Sequence, residues 1–303
     1  MSRTVLVTGA TGKQGGAVVD ALLAQKDQNW TILAVTRNPN SEAAQKLAAK
    51  SFNVKLVEGN LDNVPDLFDA AQKISGPIWG VFSVQVSQGK GVTLEGEIKQ
   101  GKAMVDESVK SGVSHFVYSS VDRGGDDVSW ETETPIPHFQ AKYHLDKYLK
   151  ERAGDKMGWT ILRPVAFMDN WQPGFPARVF MAALSNNVGT KPIQWIATSD
   201  IGYFAGLAFA SPKTYNHQAI SLAGDVLNVQ DLVKNFRDVV NANMQPAFWM
   251  LGSLLTTLVG EMGTMVRWFG TDGYKADVEM CRKRHPSLKS FETWLKTDSP
   301  FKL

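Results

Sequence analysis

The chain has 303 residues, with 32 Lys plus Arg against 30 Asp plus Glu and a formal net charge of +2. Hydrophobic residues make up 43% of the chain, enough for one large α/β unit or two modest domains. The balanced charge argues against direct binding to nucleic acid or to an anionic membrane, because such proteins carry a clustered basic excess. The single Cys281 cannot form an intramolecular disulfide, and residues 1–7 do not read as a signal peptide. We therefore expect a cytoplasmic protein, with the nucleus as the open alternative.

Apolar runs alternate with helical patterns through the first half of the chain. The predicted strands are 4–7, 31–35, 54–57, 79–84, 115–119 and 160–162. The predicted helices are 15–25, 42–50, 64–73, 94–111 and 138–152, with a polar loop at 122–137. Because the apolar runs lack polar alternation, they indicate strands that are buried on both faces by crossover helices. The sequence thus predicts an α/β fold with a doubly wound parallel sheet of the Rossmann type.

The pattern changes after about residue 165, where prolines punctuate short elements and Trp and Met become frequent. We expect one domain over 1–165, built on the sheet, and a smaller, mainly helical domain over 166–303. The smaller domain would cover the carboxyl edge of the sheet, where ligands bind in such folds, and could return one strand to it. Within it, the apolar segment 247–260 has 14 residues and is shorter than the ~20 that a spanning helix needs. We interpret this segment as a buried helix or one that lines an apolar pocket, and expect no membrane association.

A glycine-rich turn follows the first predicted strand directly. Gly9, Gly12 and Gly15 have the spacing G-x-x-G-x-x-G and open an amphipathic helix. The first glycine permits a tight turn, the second lets backbone N–H groups approach a pyrophosphate, and the third lets helix and strand pack closely. The helix N-terminus adds a partial positive charge. This context predicts a dinucleotide-binding loop.

The end of the second predicted strand indicates which dinucleotide is bound. Proteins that bind NAD usually place a carboxylate there, which accepts a hydrogen bond from the ribose 2′-hydroxyl. This chain has the sequence TRNP at 36–39 instead. Because the guanidinium of Arg37 can pair with a 2′-phosphate, the sequence favours NADP(H) over NAD(H). After the third strand, Asp62 can either accept from an adenine amino group or cap the helix that starts at Val64.

Several motifs together resemble the NmrA-like family, an atypical branch of the short-chain dehydrogenase/reductases. They are the glycine turn, TRNP at 36–39, GNLD at 59–62, HFVYSS at 115–120, HFQAK at 138–142 and ILRPVAFMDN at 161–170. Members of this family are known as NADP(H)-binding proteins. Several are redox-sensing regulators that act through protein partners, and others are reductases. The resemblance implies that 1–165 binds NADP(H) and that 166–303 covers its nicotinamide end.

The resemblance also implies a role for individual positions. The pyrophosphate loop matches Gly9, Thr11, Gly12, Lys13, Gln14 and Gly15. The 2′-phosphate site matches Arg37 and Asn38, and the adenine contacts match Leu61 and Asp62. Gln85 matches the loop beside the ribose, Lys142 the lysine that binds the nicotinamide ribose, and Phe167 to Asn170 the segment near the nicotinamide.

The sequence departs from the parent superfamily at the catalytic tyrosine. The superfamily uses Tyr-x-x-x-Lys, in which the phenol donates a proton and the ammonium lowers its pKa. Here the corresponding register reads His138-x-x-x-Lys142, so His138 is either a substitute acid or a cap or surface residue. A literal match, Tyr143-x-x-x-Lys147, begins at the residue after Lys142. Lys142 and Tyr143 lie ~100° apart on a helix, so they cannot both face the nicotinamide. Lys142 itself is a further candidate for proton transfer.

Two functions therefore remain open. The first is an NADP(H)-binding regulator or redox sensor without the usual tyrosine, which would act through a protein partner. The second is an NADPH-dependent reductase of a bulky apolar carbonyl, imine or enone, with Lys142, or Tyr143 and Lys147, in proton transfer. The spacing of His, Cys, Asp and Glu predicts no metal site.

Overall fold

The computed structural model describes residues 2–87, 89, 91–258 and 260–301. These residues form two compact units. The first unit contains the chain up to Val121 together with Gln140–Arg163 and Thr198–Ile220. The second contains Asp122–Phe139, Pro164–Ala197 and the chain from Ser221 onwards. The chain thus passes repeatedly between the units, and the assignment of cofactor binding to 1–165 and of its cover to 166–303 stays a prediction.

Strands alternate with helical segments in the first half of the described residues, and helices follow one another near the end. The strands are β1 Arg3–Val7, β2 Trp30–Thr36, β3 Val54–Glu58, β4 Gly80–Ser83, β5 His115–Ser119, β6 Gly158–Pro164, β7 Ala166–Phe167, β8 Ile193–Ile196, β9 Gln218–Leu222 and β10 Asp225–Leu227. The helices are α1 Lys13–Ala24, α2 Glu42–Ala48, α3 Val64–Ser75, α4 Leu94–Lys110, α5 Val128–Glu131, α6 Pro137–Ala153, α7 Phe175–Val188, α8 Thr198–Ala210, α9 Pro212–Tyr215, α10 Val229–Val240, α11 Trp249–Leu258, α12 Gly260–Thr271, α13 Val278–Arg284 and α14 Phe291–Thr297. A 3₁₀ turn spans Met168–Asn170.

The large sheet has the strand order β3-β2-β1-β4-β5-β6-β9 in the described part of the chain. Strands β1 to β6 pair in parallel. The order reverses between β1 and β4, and in open α/β sheets ligands bind at the carboxyl ends of the strands beside such a reversal. The predicted α/β class with a doubly wound parallel sheet is confirmed, and β9 is a strand that returns to the sheet from the second half of the chain.

Helices cover this sheet closely enough to bury its strands. Val5, Leu6 and Val7 of β1 are fully buried. Helix α8 packs against α1 through Gly202, where an added Cβ would lie 2.4 Å from the Ala17 carbonyl oxygen. The long apolar runs of the sequence arise because both faces of the sheet are covered.

In the second unit, β7, β8 and β10 form a small sheet of the described residues, in the order β10-β8-β7. The predicted polar loop at 122–137 contains α5 and the fully buried Asp122. The carboxylate of Asp122 accepts hydrogen bonds from the Ser221 hydroxyl at 2.7 Å and the Lys275 N–H at 3.0 Å. It also accepts from the N–H groups of the two following glycines. The segment is thus anchored internally by a carboxylate.

For the apolar segment 247–260 the sequence predicts a buried helix or one that lines an apolar pocket, and burial is wrong for three of its residues. Phe248, Trp249 and Met250 are 64%, 59% and 53% exposed. Phe248 precedes α11, and Trp249 and Met250 are its first two residues, whereas Gly252 of the same helix packs against α7. The side chains of 254–259 lie outside the described residues. Among the helices described here, none combines the length and the apolar character needed to cross a membrane.

Candidate functional site

The turn between β1 and α1 begins at Gly9, in a conformation that favours glycine. Gly9 has φ +60°, and a Cβ there would lie 2.9 Å from Cγ1 of Val84. The Gly12 N–H donates to the Gly9 carbonyl at 2.9 Å, and Gly12 caps α1 without a side-chain hydrogen bond. Thr11, Gly12 and Lys13 are exposed. The first turn of α1 therefore points its partial positive charge at an accessible glycine turn, which suits an anion.

Gly15 determines how closely α1 approaches β1. A Cβ at this position would lie 2.3 Å from the Gly9 carbonyl oxygen and 2.6 Å from that of Thr8. Both contacts are with backbone atoms, so a larger residue would force the helix away from the strand. At Gly16, by contrast, the nearest atom would be 3.4 Å away. The close packing expected of the third glycine is present in the structure.

Two side-chain contacts tie this turn to neighbouring strands. The Ser119 hydroxyl, at the end of β5, donates to Oε1 of Gln14 at 2.5 Å. The Thr8 hydroxyl donates to the Val84 carbonyl at 2.9 Å and accepts from the Val84 N–H at 2.8 Å. The turn is therefore fixed against the carboxyl ends of β4 and β5, while its tip stays exposed.

Arg37 and Asn38 follow β2 and differ in their contacts. The Asn38 side chain accepts from the Asn40 N–H at 3.0 Å, and its carbonyl accepts from the Ser41 hydroxyl at 2.9 Å. Asn38 thus builds the turn that leads into α2. Arg37 is exposed. Its side chain is therefore accessible to a ligand, as a phosphate-pairing group requires.

The Asp62 carboxylate, after β3, is held by two amides. Gln100 donates to Oδ1 at 2.7 Å and Asn60 donates to Oδ2 at 3.0 Å. These hydrogen bonds lower the pKa of the Asp62 carboxyl below its usual value, first that from Gln100 and then that from Asn60. The positive charges of Lys99 and Arg37 lower the same pKa further. Asp62 is therefore a fixed, ionised acceptor in the neighbourhood of Arg37.

The alternative role of Asp62 as a helix cap is wrong. Asn63 is the N-cap of α3, and its side chain accepts from the Asp66 N–H at 3.5 Å. Leu61, the other predicted adenine contact, is half-buried beside Asp62.

Gln85 lies just beyond β4 and is only 5% exposed. Its Nε2 donates to the Ser83 hydroxyl at 2.8 Å. Its Oε1 is buried and has no hydrogen-bond partner among the described residues. Buried acceptors are normally paired. An unpaired acceptor at the carboxyl edge of the sheet could therefore accept a hydrogen bond from a bound ligand.

Lys142 is the most buried of the predicted site cations. Its Nζ lies 2.7 Å from Oε1 of Glu97, and the two side chains are 7% and 1% exposed. The same carboxylate oxygen accepts from the Ser87 hydroxyl at 2.9 Å. The Lys142 ammonium also lies 5.4 Å from the ring centroid of Tyr118 on β5. The sequence prediction did not include Glu97, although an acidic residue on the buried face of the amphipathic α4 was a usable signal.

The literal Tyr-x-x-x-Lys pair lies on a different side of α6. Lys147 donates to the Tyr143 hydroxyl at 2.6 Å and lies 4.4 Å from the centroid of its ring. Lys147 is exposed and Tyr143 is half-buried, whereas Lys142 is buried. The structure therefore separates the two registers, because Lys142 points into the unit and the Tyr143–Lys147 pair points outwards.

The remaining predicted residues belong to the second unit. Phe167 ends β7 and is half-buried, and Asn170 ends the 3₁₀ turn and is exposed. His138 forms a hydrogen-bond contact through Nδ1 with the carboxylate of Glu261, and its ring packs edge-on against Phe139. Cys281 is buried, which raises the pKa of its thiol, so its sulfur is poorly suited to redox chemistry.

Comparisons with known proteins agree with this architecture. A model of the NmrA-like family matches residues 1–295. An NmrA-like family domain-containing oxidoreductase, malD of Malbranchea aurantiaca, is 26% identical over 258 residues, which cover 78% of this chain and 73% of that protein.

Two solved structures have a similar fold. One is NmrA, a negative transcriptional regulator in complex with NADP, with a TM-score of 0.69 and 18% identity over 98% of this chain and 95% of that one. The other is the triphenylmethane reductase of Citrobacter sp. complexed with NADP(H), with a TM-score of 0.72 and 18% identity over 96% of this chain and 99% of that one. At this identity, the likeness shows a shared fold.

Proposed function

Because the chain belongs to the NmrA-like family, we propose that it is an NADP(H)-binding protein whose first unit holds the nucleotide and whose role is regulatory. The observation that carries the binding proposal is the glycine turn, in which Gly15 brings the N-terminus of α1, which has no side-chain cap hydrogen bond, against β1. Thr11, Gly12, Lys13 and Gln14 would hold the pyrophosphate.

The other predicted binding residues would contact the same nucleotide. Arg37 and Asn38 would hold the 2′-phosphate, and Leu61 and Asp62 the adenine. Gln85 would accept from a ribose hydroxyl, which would satisfy its orphaned Oε1. Lys142 would donate to the nicotinamide ribose. When bound, NADPH supplies a hydride and NADP⁺ accepts one.

The regulatory proposal rests on the missing phenol. Position 138 is histidine, and the Tyr143 hydroxyl is bonded to Lys147 on the outer side of α6. A sensor needs no proton donor, but it must bind NADPH and NADP⁺ with different affinities, since only a differential affinity shifts a conformational equilibrium. A protein partner would then read the favoured conformation.

Titration of the purified protein with NADPH and NADP⁺ by calorimetry tests this proposal. We expect a tenfold or larger difference in affinity, of the order of the ~1.4 kcal/mol that such a factor represents. Limited proteolysis in each cofactor form would report the conformational change. Equal affinities with identical cleavage patterns would exclude a sensor.

A reductase is the second candidate, because a relative over most of the chain is named an oxidoreductase and a protein of similar fold is a reductase. Lys142 would then be the proton donor, since its ammonium group is buried. NADPH consumption with a panel of bulky apolar carbonyls, imines and enones tests this function. Turnover that survives intact in Lys142→Met would exclude Lys142 as the proton donor, and no turnover with any member would count against a reductase.

A further inference from the structure

Glu97 is a buried acid on a helix face that otherwise carries small and apolar residues. The buried residues of α4 are Glu97, Gly101, Met104, Val105 and Ser108, which follow the helical repeat. A leucine at position 97 would continue this stripe. Taking a carboxylate and an ammonium out of water is costly, and well-packed apolar residues are often at least as stable as a buried ion pair. The pair formed by Glu97 with Lys142 is therefore poorly explained by stability alone.

The packing of α4 against α6 keeps this pair close together. One turn after Glu97, a Cβ at Gly101 would lie 2.4 Å from a methyl group of Leu145 on α6. Leu145 is three residues after Lys142 on the same face of α6, so the contact of Leu145 with Gly101 lies directly beside the ion pair. Both side chains are buried here, so the Glu97 carboxylate meets Lys142 at 2.7 Å without competition from solvent.

Glu97 also connects Lys142 to the chain beyond β4. The Ser87 hydroxyl donates to the same carboxylate oxygen that contacts Lys142. Ser87 lies two residues after Gln85, whose buried Oε1 lacks a partner in the described part of the chain. On the other side, Lys142 lies over the ring of Tyr118, which precedes the serine that holds Gln14. Glu97 thus joins two of the segments expected beside the ribose.

We propose that Glu97 is a positioning residue for the nicotinamide half of the nucleotide, because its carboxylate holds both the Lys142 ammonium and the Ser87 hydroxyl at the carboxyl ends of β4 and β5. This inference rests on the proposed NADP(H) function. Glu97 acts on the nicotinamide ribose through Lys142 and leaves the binding of the adenine half unaffected.

Comparison of NADPH with adenosine 2′,5′-bisphosphate tests this role, since the bisphosphate lacks the nicotinamide and its ribose. We expect Glu97→Gln to weaken NADPH binding by about tenfold, the usual worth of a hydrogen bond to a charged group, and to leave bisphosphate binding within twofold. Glu97→Asp should restore part of the NADPH affinity. In a Lys142→Met background, Glu97→Gln should cause no further loss, because the residue through which it acts is gone.

A second buried ion pair of α6 provides the control. Asp146 contacts Arg163 at 3.0 Å, and both side chains are fully buried. Asp146→Asn should lower the melting temperature but change the affinities for NADPH and the bisphosphate in parallel. If Glu97→Gln does not fold, Ser87→Ala removes only the hydroxyl on Glu97, and it should weaken NADPH selectively by about threefold.

The outcomes separate the inference from the proposed function. Equal weakening of NADPH and bisphosphate by Glu97→Gln, or no weakening of either, would overturn the positioning role. A further loss in the Lys142→Met background would also overturn it, as would Ser87→Ala without a selective effect. If Lys142→Met itself binds NADPH as the wild type does, the ribose role in the proposed function fails instead.

Discussion

The two ends of the large sheet are built from the same strands but have opposite characters. At the amino end, Trp30 and Trp79 lie 5.9 Å apart between ring centroids, and Phe209 packs edge-on against both. At the carboxyl end, the strands run into an exposed glycine turn and the exposed Arg37. Aromatic side chains close one end, whereas backbone N–H groups and charges remain accessible at the other.

Polar groups show the same difference. His115 is buried at the amino end, and its Nε2 shares a hydrogen bond with the Thr160 hydroxyl at 2.9 Å. Gln85 is buried at the carboxyl end, and its Oε1 has no partner among the described residues. A buried polar side chain is therefore not by itself a sign of function, whereas an unsatisfied one at the ligand edge is a reason to expect a ligand.

The largest expected effect comes from filling the space at Gly15. In Gly15→Ala, the new Cβ would meet backbone oxygens at 2.3 and 2.6 Å, so α1 must move away from β1. We expect loss of measurable NADPH binding and a decrease of about 3 kcal/mol in the free energy of unfolding, since overpacking against backbone is poorly relieved. Calorimetric titration and urea unfolding measure the two effects.

Gly16→Ala is the matched control for this variant. The nearest atom to its Cβ would be 3.4 Å away, an ordinary contact, and alanine favours a helix. NADPH affinity and stability should stay close to those of the wild type. Tight NADPH binding by Gly15→Ala would show that the close approach of helix and strand is dispensable.

The next largest effect is a pH dependence of stability caused by His115, at the amino end of the large sheet. Burial, assisted by the charge of His217, lowers the pKa of His115 to about 4 from a usual value of 6.5. Between these two values the unfolded chain binds a proton that the folded chain does not, so stability falls as the pH decreases. The His115 contribution is about 3 kcal/mol, present in full above pH 6.5 and lost as the pH falls towards 4.

Urea unfolding of the wild type and of His115→Gln at pH 7 and pH 4.5 isolates this contribution from that of the carboxylates. The variant should lose less stability between the two pH values, while its NADPH affinity at pH 7 stays unchanged. An identical pH dependence would contradict the assignment, and a change in NADPH affinity would mean that the two ends of the sheet are not independent.

Arg37 gives a smaller, selective effect at the carboxyl end. In Arg37→Gln, loss of the guanidinium should weaken NADPH binding by about tenfold and leave NADH binding unchanged, because only NADPH carries the 2′-phosphate. Lys46→Gln is the control, since Lys46 is an exposed cation on α2 that pairs with Glu42. Parallel weakening of NADPH and NADH would argue against a 2′-phosphate site at Arg37.

The features that the sequence predicted well depend on neighbours close in the chain. The positions of β1 to β6 followed from continuous apolar runs, to within two residues at each end, and the glycine turn followed from the spacing of Gly9, Gly12 and Gly15. Both are set by backbone geometry over a few residues. The cap role that the sequence left open for Asp62 belongs to the next residue, because Asp and Asn are equally good caps and only the exact start of α3 decides between Asp62 and Asn63.

The features that the sequence missed depend on distant partners. Glu97 precedes Lys142 by 45 residues, and no local pattern states that the two helices bring them to 2.7 Å. Likewise, the composition of 247–260 shows that the segment is hydrophobic, but it does not show which face of the helix packs against another element. Trp249 and Met250 are consequently exposed despite their apolar character. Tertiary packing decides both cases.

The smallest effect is expected from the phenol of Tyr143. Its hydroxyl accepts from Lys147 on the outer side of α6, and exposed pairs of this kind are worth little. Tyr143→Phe should therefore change the free energy of unfolding by less than about 0.5 kcal/mol and leave NADPH affinity unchanged. Lys147→Met should behave in the same way, whereas Lys142→Met should weaken NADPH binding. If Tyr143→Phe abolished turnover with a reductase substrate, the outward pair would be the proton donor after all, and the regulatory role argued from the missing phenol would have to be given up.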